Sequence, residues 1–240
     1  MKKQYTKEEI FKLIKNKEYQ SLFKLIKKNQ SSLSIDYILH YIVNENNFET
    51  LELMINQNIK LEPFTIEMIT HRAARKGNLE CLKILLKQKN IIDAKNESLV
   101  ISSEKGHYLC VDYLLKDKEI NPNYNRQEAY SIACQKGKHK VVELFLPLID
   151  ILKHNLEISA LEEATFSGHY DLVNLLLKDG RLKPNALHNQ AIKSADRLQY
   201  HSIVDLLWKE QSIKNTLKDD DLELFSRLNK KRISNNLFNF

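Results

Sequence analysis

Residues 161–180, LEEATFSGHYDLVNLLLKDG, place two short apolar runs on either side of Ser167-Gly168-His169. The chain has only five glycines in 240 residues. A glycine inside a helical pattern costs roughly 1 kcal/mol against alanine, so its position has a reason. Upstream, about Glu157 to Phe166 reads as a helix, with the small Ala164 letting a neighbour approach closely. Downstream, about His169 to Lys178 reads as a second helix, with Leu172, Val173, Leu176 and Leu177 on one face. Gly168 at positive φ lets the chain reverse between them with no Cβ penalty. Gly180 stands where the second helix calls for a left-handed C-cap.

The same unit recurs. Counting back 31 residues from Gly168 reaches Gly137, another 31 reaches Gly106, and 29 more reaches Gly77. Asn46 occupies the slot 31 before Gly77, Lys17 fills the slot of the unit before that, and Gln199 lies 31 after Gly168. Leu82, Val111, Val142, Val173 and Val204 share a second column. Ala74, Ser103, Ala133, Ala164 and Ala195 share a third, with one shift of register. PNYNRQEA from Pro122 and PNALHNQA from Pro184 lie 62 apart, twice the period.

A period near 31 with two helices per unit describes a repeat solenoid, because one hairpin cannot bury its apolar faces alone and stacked neighbours can. The expected fold is all-α: a single right-handed stack of about seven helix-turn-helix units with terminal capping helices. Residues 1–30 read as a degenerate N-terminal capping repeat, 31–210 as the repeats, and 211–240 as a C-terminal capping helix and tail. In KDDDLELFSRLNKK, Asp219 to Asp221 suit the N-terminus of that last helix, and Lys230 and Lys231 its C-terminus. Trp208 replaces the last leucine of a second helix and is expected in the core near this cap.

Composition narrows the class. Residues 1–30 carry nine lysines and three glutamates, so the whole net charge of +6 resides there. Such an end can attract nucleic acid or an anionic surface; the simpler reading is the solvated face of a capping helix. The lysines are not interleaved with a stacking aromatic platform, which disfavours nucleic acid. MKKQYTKEEIFKLIKNK has no apolar h-region, and VVELFLPLIDIL is interrupted by Glu143, Pro147 and Asp150, so no membrane segment is expected. Three cysteines without CxxC spacing point to a reducing, intracellular and cytoplasmic setting.

Catalytic signatures are absent. The glycines form neither GxGxxG nor GxxxxGK, and GxSxG and HExxH do not occur. His107 and Cys110 lie three apart, a spacing that can hold a metal. Cys110, however, shares a core column with Cys81, Val141 and Leu172. His107 and His169 occupy the turn slot, where a ring can hydrogen-bond the backbone of the next repeat. No metal, no cofactor and no enzymatic activity are expected.

MITHRAARKGNLECLKILL, ESLVISSEKGHYLCVDYLL, EAYSIACQKGKHKVVELFL, SALEEATFSGHYDLVNLLL and QAIKSADRLQYHSIVDLLW resemble the ankyrin-repeat pattern TPLHLAAxxGHLEVVxLLL. The Gly-His turn and second helix carry the likeness. The Thr-Pro-Leu-His part is nearly absent, with only His71 on its histidine, which implies shortened or distorted β-turn fingers. The loops and the preference for lysine over arginine are similar to divergent arrays encoded by amoebal giant viruses and amoebae.

The resemblance implies a monomeric, non-enzymatic scaffold that binds another protein through a concave face of helix A, the first helix of each unit, and loop tips. Helix A offers Arg75, Lys76, Lys105, Lys136, Phe166 and Arg197 just before its turns, and the loop tips offer Phe64, Tyr124, Arg126, Leu187 and His188. Interface hot spots favour Tyr, Trp and Arg. Phe166 also reads as packing between repeats, and the lysines as solvated. Two alternatives stand beside this one. The basic N-terminus docks nucleic acid or an anionic surface, or the array recruits substrates to a larger complex such as a ubiquitin ligase.

Overall fold

The computed structural model describes residues 5–28, 34–57, 61–88, 91–149 and 156–237. It forms two compact units, residues 1–121 and 122–240. In the first unit the helices are α1 (Lys7–Lys15), α2 (Tyr19–Lys27), α3 (Ile35–Asn44), α4 (Phe48–Asn56), α5 (Pro63–Lys76), α6 (Leu79–Leu85), α7 (Ile92–Lys105) and α8 (Tyr108–Leu115). In the second they are α9 (Tyr124–Gln135), α10 (His139–Phe145), α11 (Leu156–Phe166), α12 (Tyr170–Asp179), α13 (Ala186–Arg197), α14 (His201–Leu207), α15 (Gln211–Asp220) and α16 (Leu222–Leu237). No strand occurs among the described residues. The all-α solenoid expected from the period is what forms.

Odd-numbered helices are the A members of each pair and even-numbered ones the B members. They stack in separate layers. In the first unit α3 packs on α5 and α5 on α7, while α4 packs on α6 and α6 on α8. In the second unit α9, α11, α13 and α15 follow one another, and α10, α12 and α14 form the B layer. The columns read from the sequence are the seams. Leu82, Val111, Val142, Val173 and Val204 are all buried, and so are Ala74, Ser103, Ala133, Ala164 and Ala195. Burying each such leucine or valine contributes about 1.5–3 kcal/mol.

Every counted turn slot has positive φ: Lys17 at 59°, Asn46 at 51°, Gly77 at 73°, Gly106 at 79°, Gly137 at 64°, Gly168 at 75° and Gln199 at 60°. One hydrogen-bond pattern closes these turns. The N–H after the slot donates to the carbonyl five residues back: Glu18 to Leu13 at 2.9 Å, Asn78 to Ala73 at 3.0 Å, His169 to Ala164 at 2.9 Å. This satisfies a carbonyl that the helix end would otherwise leave unpaired. Gly180 caps α12 at φ 75°, as its position predicts.

The histidines reach in the opposite direction from the one expected. His107 Nε2 lies 3.0 Å from the carbonyl of Arg75, and His169 Nε2 lies 3.1 Å from that of Gln135. Both acceptors belong to the preceding repeat. The B helix starts beside the A-helix end it has to cover, so the first side chain of the turn folds back over that end. Asn78 does the same, donating to Val43 O.

The C-terminal cap is two helices rather than one. Asp219 and Asp220 finish α15, and only Asp221 caps α16, its Oδ1 accepting from Leu224 N at 2.9 Å. Lys230 and Lys231 fall inside α16, which runs on to Leu237. The break lies at Asp221, whose φ of −158° and ψ of 86° are extended. Trp208 is half-buried and packs edge-on against Phe225, with centroids 5.7 Å apart. Residues 238–240 of the expected tail lie outside the described residues.

Candidate functional site

The A helices of the first unit carry a groove of about 550 Å³ lined by Lys7, Phe11, Tyr37, His40, Tyr41, Asn44, Met68 and Arg72. A Thr6–Glu9 capping box starts α1 and the Ser34 hydroxyl caps α3, so both helices present these residues from defined first turns. Phe11 of α1 stacks on Tyr41 of α3 at 3.7 Å with 10° between planes, and lies 6.2 Å from Tyr37 at 12°. Lys7 Nζ sits 5.5 Å from the Phe11 centroid and 5.2 Å from that of Tyr37. Its interaction with the Tyr37 side chain raises the lysine pKa. The sequence reading missed this platform because its rings come from two different repeats.

On the other side of α3, Arg72 Nε donates to Asn44 Oδ1 at 2.7 Å. His40 Nδ1 is buried with no hydrogen-bond partner among the described residues. Burial, followed by the nearby Arg72 charge, lowers the His40 pKa and favours the neutral ring. Met68 is 40% exposed beside them. A repeat-column signal for the groove does exist in the sequence. Lys7, Tyr37 and Met68 follow at intervals of 30 and 31, as do Phe11, Tyr41 and Arg72.

The sequence-derived candidates are distributed over both units. In the first, Arg75, Lys76 and Lys105 are exposed at A-helix ends, and Phe64 is 69% exposed. In the second, Lys136 and Arg197 are exposed, Phe166 is 58% exposed and Leu187 52%. Phe166 therefore projects rather than packing between repeats. Phe64 lies in the first turn of α5 and not on a loop tip, since Pro63 starts that helix. The α5 helix runs unbroken from Pro63 to Lys76, through Thr70 and His71.

Leu187 and His188 are also not on a free loop. With Asn189 they form one left-handed turn, at φ 45°, 54° and 60°, ahead of the right-handed part of α13. Buried Asn189 holds it: Nδ2 donates to Thr216 Oγ1 at 3.0 Å and also to an Asp220 carboxylate oxygen. Tyr124 and Arg126 belong to the first turn of α9, but their side chains lie outside the described residues.

Of the His107–Cys110 pair, the His107 Nε2 lies 3.0 Å from Arg75 O, and Cys110 is buried, which pushes its thiol up to about 11. A different trio, Glu67, His71 and Glu97, brings three donor atoms within 4.8 Å of one another. His71 Nε2 lies 3.2 Å from a Glu97 carboxylate oxygen, an ion pair when the ring is protonated. No helix among the described residues is long and apolar enough to cross a membrane.

Paired helices, glycine-slot turns and two stacked layers define a helical repeat protein. The family model for ankyrin repeats (3 copies) matches residues 39–127 and 99–188, together 39–188 of the 240 residues. The chain belongs to the ankyrin-repeat family, a non-enzymatic fold that generally serves as a protein–protein interaction module. No curated protein matches it.

Proposed function

We propose that the chain is a non-enzymatic scaffold that binds another protein through the face formed by its A helices and their N-terminal turns. This is the concave side in stacks of this kind. One observation carries the reading: large apolar side chains, Phe64, Met68, Phe166 and Leu187, stand exposed on A helices. Arg75, Lys76 and Arg197 stand exposed on the same helices. Exposed aromatics on helices that also carry exposed arginine and lysine suit a protein contact, in which a few anchors supply most of the energy.

The test is affinity capture from the native cell lysate at low and high salt, with wild type beside a Phe64→Ala, Phe166→Ala, Arg197→Ala variant. The expected result is a discrete protein retained by wild type at high salt and released by the variant. Capture dominated by nucleic acid, eluted by salt and unchanged in the variant would assign binding to the lysine-rich N-terminus instead.

A further inference from the structure

We infer that the groove of α1, α3 and α5 is a docking site for an acidic peptide segment that carries an apolar anchor residue. The inference rests on the scaffold reading above and adds the chemistry of the partner.

The first argument is charge. The groove's lining holds two cations, Lys7 and Arg72, and no carboxylate. They come from the helices on either side of the α3 rings. The carboxylates nearby lie outside the lining: Asp36 accepts from the Thr65 hydroxyl at 2.7 Å, Glu8 acts electrostatically on Lys7, and Glu97 lies 3.2 Å from His71 Nε2. Arg72 is oriented as well as charged. Asn44 takes its Nε–H, and the two terminal amino groups have no hydrogen-bond partner among the described residues. An oriented guanidinium with free donors matches a carboxylate in two-point geometry.

The second argument concerns the rings, and it selects peptide over nucleic acid. Recognition of a base or a methylated ammonium needs an open aromatic face. Here the Phe11 face is covered by Tyr41 at 3.7 Å, and Lys7 stands over Phe11 and Tyr37 at 5.5 and 5.2 Å. What remains open is the half-exposed Tyr37 and the exposed Met68 thioether. Those surfaces accommodate an aliphatic or aromatic side chain by packing, with methionine adapting to its shape.

The experiment is selection of a random dodecapeptide phage library on the full chain, and in parallel on a Lys7→Glu, Arg72→Glu variant whose folding is verified by its circular dichroism melt. The leading clone is then measured by fluorescence anisotropy, beside its Glu/Asp→Gln/Asn counterpart and a labelled oligothymidine. Wild type should enrich acidic peptides with a large apolar residue, and the variant should lose them. Arg72→Gln, and neutralisation of the peptide, should each weaken binding by about tenfold. Enrichment of nothing, of neutral or basic peptides, or of clones equally retained by the variant overturns the inference, as does tighter binding of the oligothymidine. If the groove fails while lysate capture still depends on Phe64, Phe166 and Arg197, the scaffold reading stands without it. If that capture fails too, the scaffold reading falls with it.

Discussion

A Cβ built on Gly77 would lie 2.5 Å from Nδ1 of His107, and one on Gly137 would lie 2.6 Å from the His169 ring. Gly180 has the same left-handed backbone but nothing within 4 Å. The three sites therefore separate two reasons for a glycine. Gly180→Ala should cost only the left-handed conformation, about 1–2 kcal/mol. Gly77→Ala and Gly137→Ala should cost distinctly more, because they also displace a ring bonded to the preceding repeat. Urea denaturation of the three variants checks this. Adding His107→Ala to Gly77→Ala should produce less than the sum of the two single losses, the mark of groups in contact. The slot itself was legible by counting, down to Lys17, Asn46 and Gln199. The ring lying over it was not, because it reaches back one period to a residue with no side chain to advertise the contact.

At the scale of the element, the left-handed turn at residues 187–189 opens α13 against the ordinary preference of non-glycine residues. It persists because Asn189, fully buried, is bonded to Thr216 and Asp220 of α15. Asn189→Ala removes these bonds and leaves the Asp220 carboxylate with less support. The expected loss is about 1–3 kcal/mol, with amide exchange accelerating first at the start of α13 and in α15. Unchanged exchange there would show that the turn is held by something else. This turn, like the break at Asp221 between α15 and α16, was hidden in the sequence. PNALHNQA reads as a loop leading into a helix, and the run of three aspartates reads as one cap, until tertiary partners divide their roles. The groove was hidden for a related reason. Its six ring, sulfur and cationic residues occupy two columns on three helices, and no local window contains more than a pair of them.

At the scale of the whole molecule, the family likeness covered the repeats, and the helix pairs, seams and turns follow from periodicity. Periodicity says nothing about which exposed side chains meet a partner, since exposed columns are free to vary. A stack held by nearest-neighbour interfaces should unfold with some independence along its length. The cysteines report on this. All three are buried, Cys81 and Cys110 in the first unit and Cys134 in the second, and burial pushes their thiols up to about 11, 11 and 12. They should be inert to thiol reagents in the native protein. Under mild denaturant, Gly77→Ala should hasten labelling of Cys81 and Cys110 well ahead of Cys134, read by peptide mass spectrometry. Equal acceleration at all three would indicate one cooperative block instead.

The central claim, that binding uses the A-helix face, is tested most directly by hydrogen–deuterium exchange of the full chain with and without its captured protein partner. The account predicts protection in α1, α3 and α5 and at the exposed A-helix positions around Phe64, Phe166 and Arg197, with the B helices little changed. Protection confined to the B helices α4, α6, α8, α10, α12 and α14 would contradict it.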